Sequence, residues 1–363
     1  GGDETVVAAS DDDDVLAVPG LAHLLTVATD CSLRSGLTSG LADRVIWREW
    51  WGHTGGTDRN NDARPSRIEE GGAVALVLRV RMPLVLLLLV LAAAGSSASA
   101  PDAGFVAGVW PVGLDTGLLL LAPRSQASVW LAAVFLVALG SVALLAQPLD
   151  VALGYAVAVT VEAAVAARVL TGPTRPGARG TRRGALRTDQ DLRRWLVACV
   201  GSSLVGAVLV GVTAMATGLG DRLLTAVGVF IAHLAGQTLL TPFFLRFPEH
   251  GSIAKDGERL AQWGVIVLAA PVLLLPTAAP GLIFLTIPIL AWGALRIHPW
   301  EAMAQLSGVV TFAVVLSALG RGPFPPDPAA FGVPEEIRGV LLSGYVVTCA
   351  VIVVPLMLRV GQY

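Results

Sequence analysis

The chain has 363 residues, of which 54% are hydrophobic and only 14% charged, with a mean hydropathy of +0.70. Soluble domains carry roughly 25% charged residues, so this composition excludes an ordinary soluble domain and indicates a membrane protein. The net charge of −2 excludes little, because charge is segregated along the chain, and the three cysteines, Cys31, Cys199 and Cys349, form neither a disulfide framework nor a metal-ligand set at these spacings.

Residues 1–72 differ from the rest. They hold the acidic run 11–14 and the Asn-, Asp- and Arg-rich run 58–67, a composition that rarely builds a core. The segment is read as a disordered tail or as sequence outside the native protein. Gly1-Gly2-Asp3-Glu4 shares four letters with the diguanylate cyclase signature, but Thr5 stands where that family has Phe, and the match is read as coincidence. Trp47, Trp50 and Trp51 beside Arg48 read as a weakly ordered amphipathic turn, with docking on a membrane surface as the alternative.

Arg79 and Arg81 precede an apolar run at 83–94, and Ala98-Ser99-Ala100 has the small-residue pattern of a signal-peptide cleavage site. Pro101, directly after the would-be cut, disfavours cleavage, so the run is read as an uncleaved first span. Nine more apolar runs follow, at about 105–121, 129–146, 150–167, 195–217, 223–245, 261–276, 281–295, 301–319 and 340–358. Several are shorter than the ~20 residues that cross a bilayer comfortably. The run 105–121 is punctuated by Pro111, Gly113, Asp115 and Gly117, and the pair 261–276 and 281–295 by Pro271, Pro276, Pro280 and Pro288. Helix breaks survive at membrane depth where they line a protein-buried cavity. The expected architecture is an all-α polytopic membrane bundle of eight to ten transmembrane segments.

Between the spans at 150–167 and 195–217 lie eight arginines, Arg168, Arg175, Arg179, Arg182, Arg183, Arg187, Arg193 and Arg194, offset only by Asp189 and Asp191. A stretch this basic stays in water and on the cytoplasmic side. It carries no aromatic residue to stack on bases, which argues against nucleic-acid binding. With the amino terminus inside, the inside connections hold these eight with Arg124, Arg246, Lys255, Arg259, Arg296 and Arg359, and the outside connections only Arg222, Arg321 and Arg338. Both termini are therefore expected in the cytoplasm, with the proline-rich stretch 320–338 as an outer loop.

No phosphate-cradling glycine loop, zinc spacing or nucleophile elbow is present, so no catalytic residue, metal or cofactor is expected. The candidates are polar groups at membrane depth, where each needs partners or a cavity. Glu162 either lines a site or pairs with Arg168 or a neighbouring helix as structural glue. His233 shares a polar stripe with Gln237 and Thr238, suited to hydrogen bonds between helices. Asp115 falls at the break in its run, where freed backbone N–H groups can satisfy it. Trp110, Trp263, Trp292 and Trp300 fall where an aromatic belt would sit. Small residues four apart, Ser202 with Gly206 and Ala207 with Gly211, favour close helix packing.

Several stretches, in order, resemble the membrane-associated sensor domain of the first class, the MASE family of bacterial signalling proteins. Trp110-Pro111-Val112-Gly113-Leu114 is like that family's W-P-x-G-L helix entry, and Glu162, within 155–170, matches the acid of its N-x-x-E-A pattern. The stretch 236–245, with Leu240-Thr241-Pro242-Phe243, is like its G-x-x-hydrophobic-x-P-hydrophobic helix. The segment 289–296, followed by Leu319-Gly320-Arg321-Gly322-Pro323-Phe324, pairs a W-A-A-L-R-like helix end with a G-x-G-P-F outer loop. Two departures stand out: His233 replaces an acid of the family, and Thr160 replaces a frequent Asn.

The resemblance covers about 83–358. It implies that 73–363 form an integral membrane sensor domain of the bacterial inner membrane, with Trp110, Asp115, Glu162, His233, Gln237 and Arg321 as ligand-binding or buried polar candidates. The implied partners are the bilayer, a small ligand or partner membrane protein, and a cytoplasmic output: a histidine kinase, a diguanylate cyclase or phosphodiesterase of cyclic-di-GMP signalling, or a phosphatase. That output is expected beyond Tyr363 or on a separate protein, and homodimer formation is left open. The rival reading is a small-solute transporter. The topology predicts that a reporter fused at Thr181 is cytoplasmic and one at Ala330 periplasmic; finding both on one side in a dual alkaline phosphatase and fluorescent-protein assay would overturn the even span count.

Overall fold

The computed structural model of the protein describes residues 111–143, 147–172, 184–218, 222–248, 252–276, 280–319, 321–324 and 336–360, with Val85 and Leu88. The expectations for the tail 1–72 and for Trp110 lie outside the described residues, as does the span at 83–94 apart from Val85 and Leu88. Among the described residues the chain is helical: α1 (Val112–Leu121), α2 (Ala127–Ala143), α3 (Leu149–Thr171), α4 (Asp189–Thr217), α5 (Arg222–Leu240), α6 (Asp256–Leu274), α7 (Thr286–Arg296), α8 (Pro299–Ala318) and α9 (Glu336–Val360).

Six helices are long and apolar enough to cross a membrane: α3, α4, α5 with its 3-10 extension to Phe244, α6, α8 and α9. Three shorter apolar helices, α1, α2 and the segment Gly281–Arg296, occupy other expected positions. At 1.5 Å per residue the 10-residue α1 spans about half of a ~30 Å hydrocarbon core. Proline explains two of the short elements. Pro111 and Pro280 each sit at a helix start, where a missing N–H does no harm. Pro271 and Pro355 lie instead inside α6 and α9.

The faces follow from the sequence in inverted form. On α4, Val197, Val200, Leu204, Val208, Val212 and Met215 are exposed at helical spacing, while Ser202, Ser203 and Gly206 are buried. Large apolar side chains outward and small or polar ones inward is the pattern of a helix solvated by lipid. Val267, Leu268 and Val272 do the same on α6. The protein thus has the make-up of a multi-pass membrane protein in a lipid bilayer.

Two apolar clusters form the interior, one from α1–α5 and one dominated by α6–α9. Helix α5 belongs to both: Val229 and Ala232 enter the first, Ala235 and Leu239 the second. It packs extensively on α4 and on α9, and α1 lies against α3 and α5.

The arginine-rich stretch is shorter as a loop than the sequence suggests. Arg168 lies in the last turn of α3, and Arg193 and Arg194 lie inside α4. The cause is a strong helix start. Thr188 accepts a hydrogen bond from the Asp191 N–H while the Asp191 carboxylate accepts one from the Thr188 N–H, and Asp189 and Asp191 place negative charge in the first turn. The connections expected inside gather at one end of the bundle. Leu186 N–H donates to Arg246 O at 2.8 Å, the Arg187 guanidinium to Phe247 O at 3.1 Å, and the N–H groups of Ile253 and Ala254 to Arg296 O. Arg321 lies elsewhere, in the turn after α8 beside the C-terminal end of α6. Thr188→Ala removes the cap of α4 and is expected to lower stability by about 1 kcal/mol in a denaturant titration in detergent.

Candidate functional site

The sequence places Tyr155 and Glu162 two turns apart on one face of α3, and Ser203 and Gly206 on one face of α4. The fold turns both faces onto His233 of α5. Glu162 Oε2 lies 2.5 Å from His233 Nδ1, Ser203 Oγ donates to Glu162 Oε1 at 3.2 Å, and the Tyr155 hydroxyl lies 3.1 Å from His233 Nε2. Glu162, Ser203 and His233 are fully buried, and Tyr155 is 1% exposed. Gly206 makes this arrangement possible, because a Cβ there would collide with the Glu162 carboxylate.

A second set begins one turn along α5. Gln237 Nε2 donates to Thr116 Oγ1 of α1 at 2.9 Å, and Thr241 Oγ1 donates to Gln237 Oε1 at 2.8 Å. Beside Thr116, Asp115 is 4% exposed and lies within electrostatic range of Glu162 and Tyr155. Its carboxyl group hydrogen-bonds to no described residue, so the freed N–H groups expected to satisfy it do not. The helix begins at Val112 and turns those donors into its own first turn.

Four candidates are therefore brought together: Asp115, Glu162, His233 and Gln237. Arg321 is exposed in its turn and takes no part. Of the two kinds of partner expected for Glu162 as glue, it bonds to neighbouring helices and not to Arg168. Arg168 lies six residues further along α3, nearly two turns toward the basic end, and Glu162 turns to α4 and α5 instead. Thr238 also departs from the expected stripe, since its hydroxyl folds back onto Leu234 O and Ala235 O of its own helix. Tyr155, Ser203, Thr116 and Thr241 were not singled out in the sequence. Tyr155 had a usable signal, its seven-residue spacing from Glu162 on one helix. The hydroxyl residues had none, because Ser and Thr in such helices usually bond their own backbone.

Chemically the set is a hydrogen-bonded relay. With Glu162 ionised, Nδ1 of His233 donates to it. Nε2 then accepts from the Tyr155 hydroxyl when the ring is neutral, or donates to it when the ring is an imidazolium. A cleft lined by Val151, Val210, Thr213, Ala214, Thr217 and Thr225 reaches Tyr155 from the end of the bundle opposite the basic connections. Among the described residues, no group of three His, Cys, Asp or Glu side chains is placed to hold a metal. Cys199 and Cys349 are free thiols buried in the bundle. Comparison with known protein families, with characterised proteins and with solved structures gives no match.

The network sets a graded expectation. Tyr155→Phe loses one neutral hydrogen bond and is expected to cost about 1 kcal/mol. Glu162→Ala strands a buried histidine and is expected to cost roughly 3–5 kcal/mol. Thermal unfolding of both variants in the same detergent checks the order; equal losses would show that the two contacts are not parts of one network.

Proposed function

We propose that the protein is the membrane-embedded sensory input module of a bacterial signal-transduction protein, of the MASE type that its motifs resemble. In this reading it lies in the inner membrane with eight to ten spans and both termini in the cytoplasm, and the gathering of Arg187, Arg246, Arg259 and Arg296 at one end supports that orientation. It is not itself an enzyme. Catalysis belongs to a cytoplasmic output of kinase, cyclase, phosphodiesterase or phosphatase type.

One observation carries the reading. The buried relay is centred on α5, and α5 is the helix that packs along α9. A small ligand entering the cleft at Tyr155 competes for the Tyr155–His233 hydrogen bond. Relaxing that bond changes how α5 seats between α3, α4 and α9. At its far end α9 carries Arg359, whose guanidinium lies 3.7 Å from Asp189 at the start of α4. Binding at one end is thereby linked to the spacing of two helix ends at the other, and the ligand shifts the balance by its differential affinity for the two packings.

The rival, a small-solute transporter, draws support from the short helices α1 and α7 next to prolines, since broken helices line transporter sites. Spin labels at positions 189 and 359 separate the two. In the sensor, His233→Ala is expected to shift the measured distance distribution between the labels, and proteoliposomes are expected to show no solute flux. An unchanged distribution together with saturable flux would establish the transporter.

A further inference from the structure

The relay differs from the other carboxylates of the bundle in how its charge is balanced. Glu301 pairs with Arg259 and Glu258 with Arg296, each between two helices. Among the described residues no arginine or lysine forms an ion pair with Asp115 or Glu162. The titratable groups gathered around His233 are Asp115 from α1, Tyr155 and Glu162 from α3, and Cys199 from α4, which lies within electrostatic range of Glu162. Helix α2, packed on α3, carries none. Helix α9, packed on α5, sends Tyr345 and Cys349 into the second apolar cluster instead. Unbalanced charge is costly at membrane depth, so among the described residues only protons can balance this set.

The relay is approachable from one end. Tyr155 belongs both to it and to the cleft at the end away from the basic connections. That cleft has a volume of about 10 Å³, room for about one water and for no organic molecule. Thr213 and Thr217 in its wall donate their hydroxyl hydrogens to Leu209 O and Thr213 O of their own helix. Their oxygens remain able to accept from a water. Toward the basic end the buried side chains one and two turns on are Ala166 and Leu170 on α3 and Cys199 and Trp195 on α4. On α5 the next polar residue is Gln237, which bonds Thr116 and Thr241. An amide does not change protonation near neutral pH, so that set carries no proton onward.

We propose that the ligand of the relay is a proton, taken up through one water in this cleft from the end of the bundle opposite the basic connections. The proposal rests on the sensor reading for its consequence at α9, and names the ligand of the same site. A hydronium in the cleft gives one proton to the Tyr155 oxygen and reverts to water. The original Tyr155 O–H bond breaks, and its hydrogen passes to Nε2 of neutral His233. Tyr155 ends as a phenol. His233 ends as an imidazolium that donates to the Glu162 carboxylate from Nδ1 and to the Tyr155 oxygen from Nε2. The Tyr155–His233 hydrogen bond thus reverses direction, and α5 gains one positive charge. The occupied state grows as the pH falls on that side.

His23, His53, His250 and His298 are replaced by Gln in the full-length protein, which leaves His233 as the one imidazole. Its nitrogen-15 resonances are followed in lipid nanodiscs between about pH 5 and 8. His233 is expected to gain a proton reversibly within that range, and an imidazole that keeps one protonation state throughout would overturn the proposal. Val210→Phe fills the cleft and leaves every relay side chain in place; Ala214→Val, a smaller intrusion, serves if it does not fold. Either is expected to keep the midpoint and to slow protonation after a pH jump, read by infrared absorption, by roughly tenfold or more, because a path sets a rate and not an equilibrium. Tyr155→Phe is expected to slow it as well. Unchanged rates in the cleft variant and in Tyr155→Phe would show that the proton arrives by another route, and would overturn the proposal. Proteoliposomes loaded with a pH-sensitive dye are expected to show no steady proton flux, and a flux that Tyr155→Phe abolishes would overturn uptake from one end. Titration of His233 with no change in the distance between labels at 189 and 359 would leave proton binding standing and overturn the sensor reading alone.

Discussion

A carboxyl group with no access to solvent requires hydrogen-bond partners, and Glu162 has them on two other helices. Ser203 supplies one from α4 and His233 the other from α5, so a single side chain of α3 fixes the register of three helices. In lipid there is little hydrophobic drive between helices, and close packing with polar contacts decides which faces meet. Gly206 lets α4 approach the carboxylate, and Tyr155 completes the chain of contacts at the opposite edge of the imidazole. The first apolar cluster forms around this network.

Helix α5 carries the consequence to the rest of the molecule. Its His233 and Gln237 face α3 and α1, while Ala235 and Leu239 enter the cluster built by α6–α9. Helix α4 is divided too, with Trp195, Ala198 and Cys199 in that cluster and Ala207 and Val210 in the other. A change in the hydrogen bonding of one half therefore has a direct packing route to the other half, without a chain of intermediaries.

Buried polarity is satisfied unevenly among the described residues. Around Glu162 every polar atom named in the relay has a partner. Around Gln262 and Gln305 four amide atoms lack one, directly beneath two ion pairs that are themselves complete. A satisfied network gives rigidity and specificity of packing.

The sequence by itself determined the helical membrane character, because charge is too sparse and apolar runs too frequent for any other solvent. It also determined the clustering of basic residues and the identity of the buried ionisable groups, since Asp115, Glu162 and His233 are conspicuous wherever apolar runs surround them. Tertiary structure decided the partners. The sequence offered Glu162 either Arg168 or a neighbouring helix, and only the packing of α3 against α4 and α5 turned it to Ser203 and His233. Helix ends also required structure, because the capping of Thr188 by Asp191 extends α4 through Arg193 and Arg194, beyond where hydropathy stops. Gln262 and Gln305 could not be recognised in the sequence. A glutamine in an apolar run looks the same whether it meets a partner or not, and what its neighbours fail to offer exists only once three helices have packed.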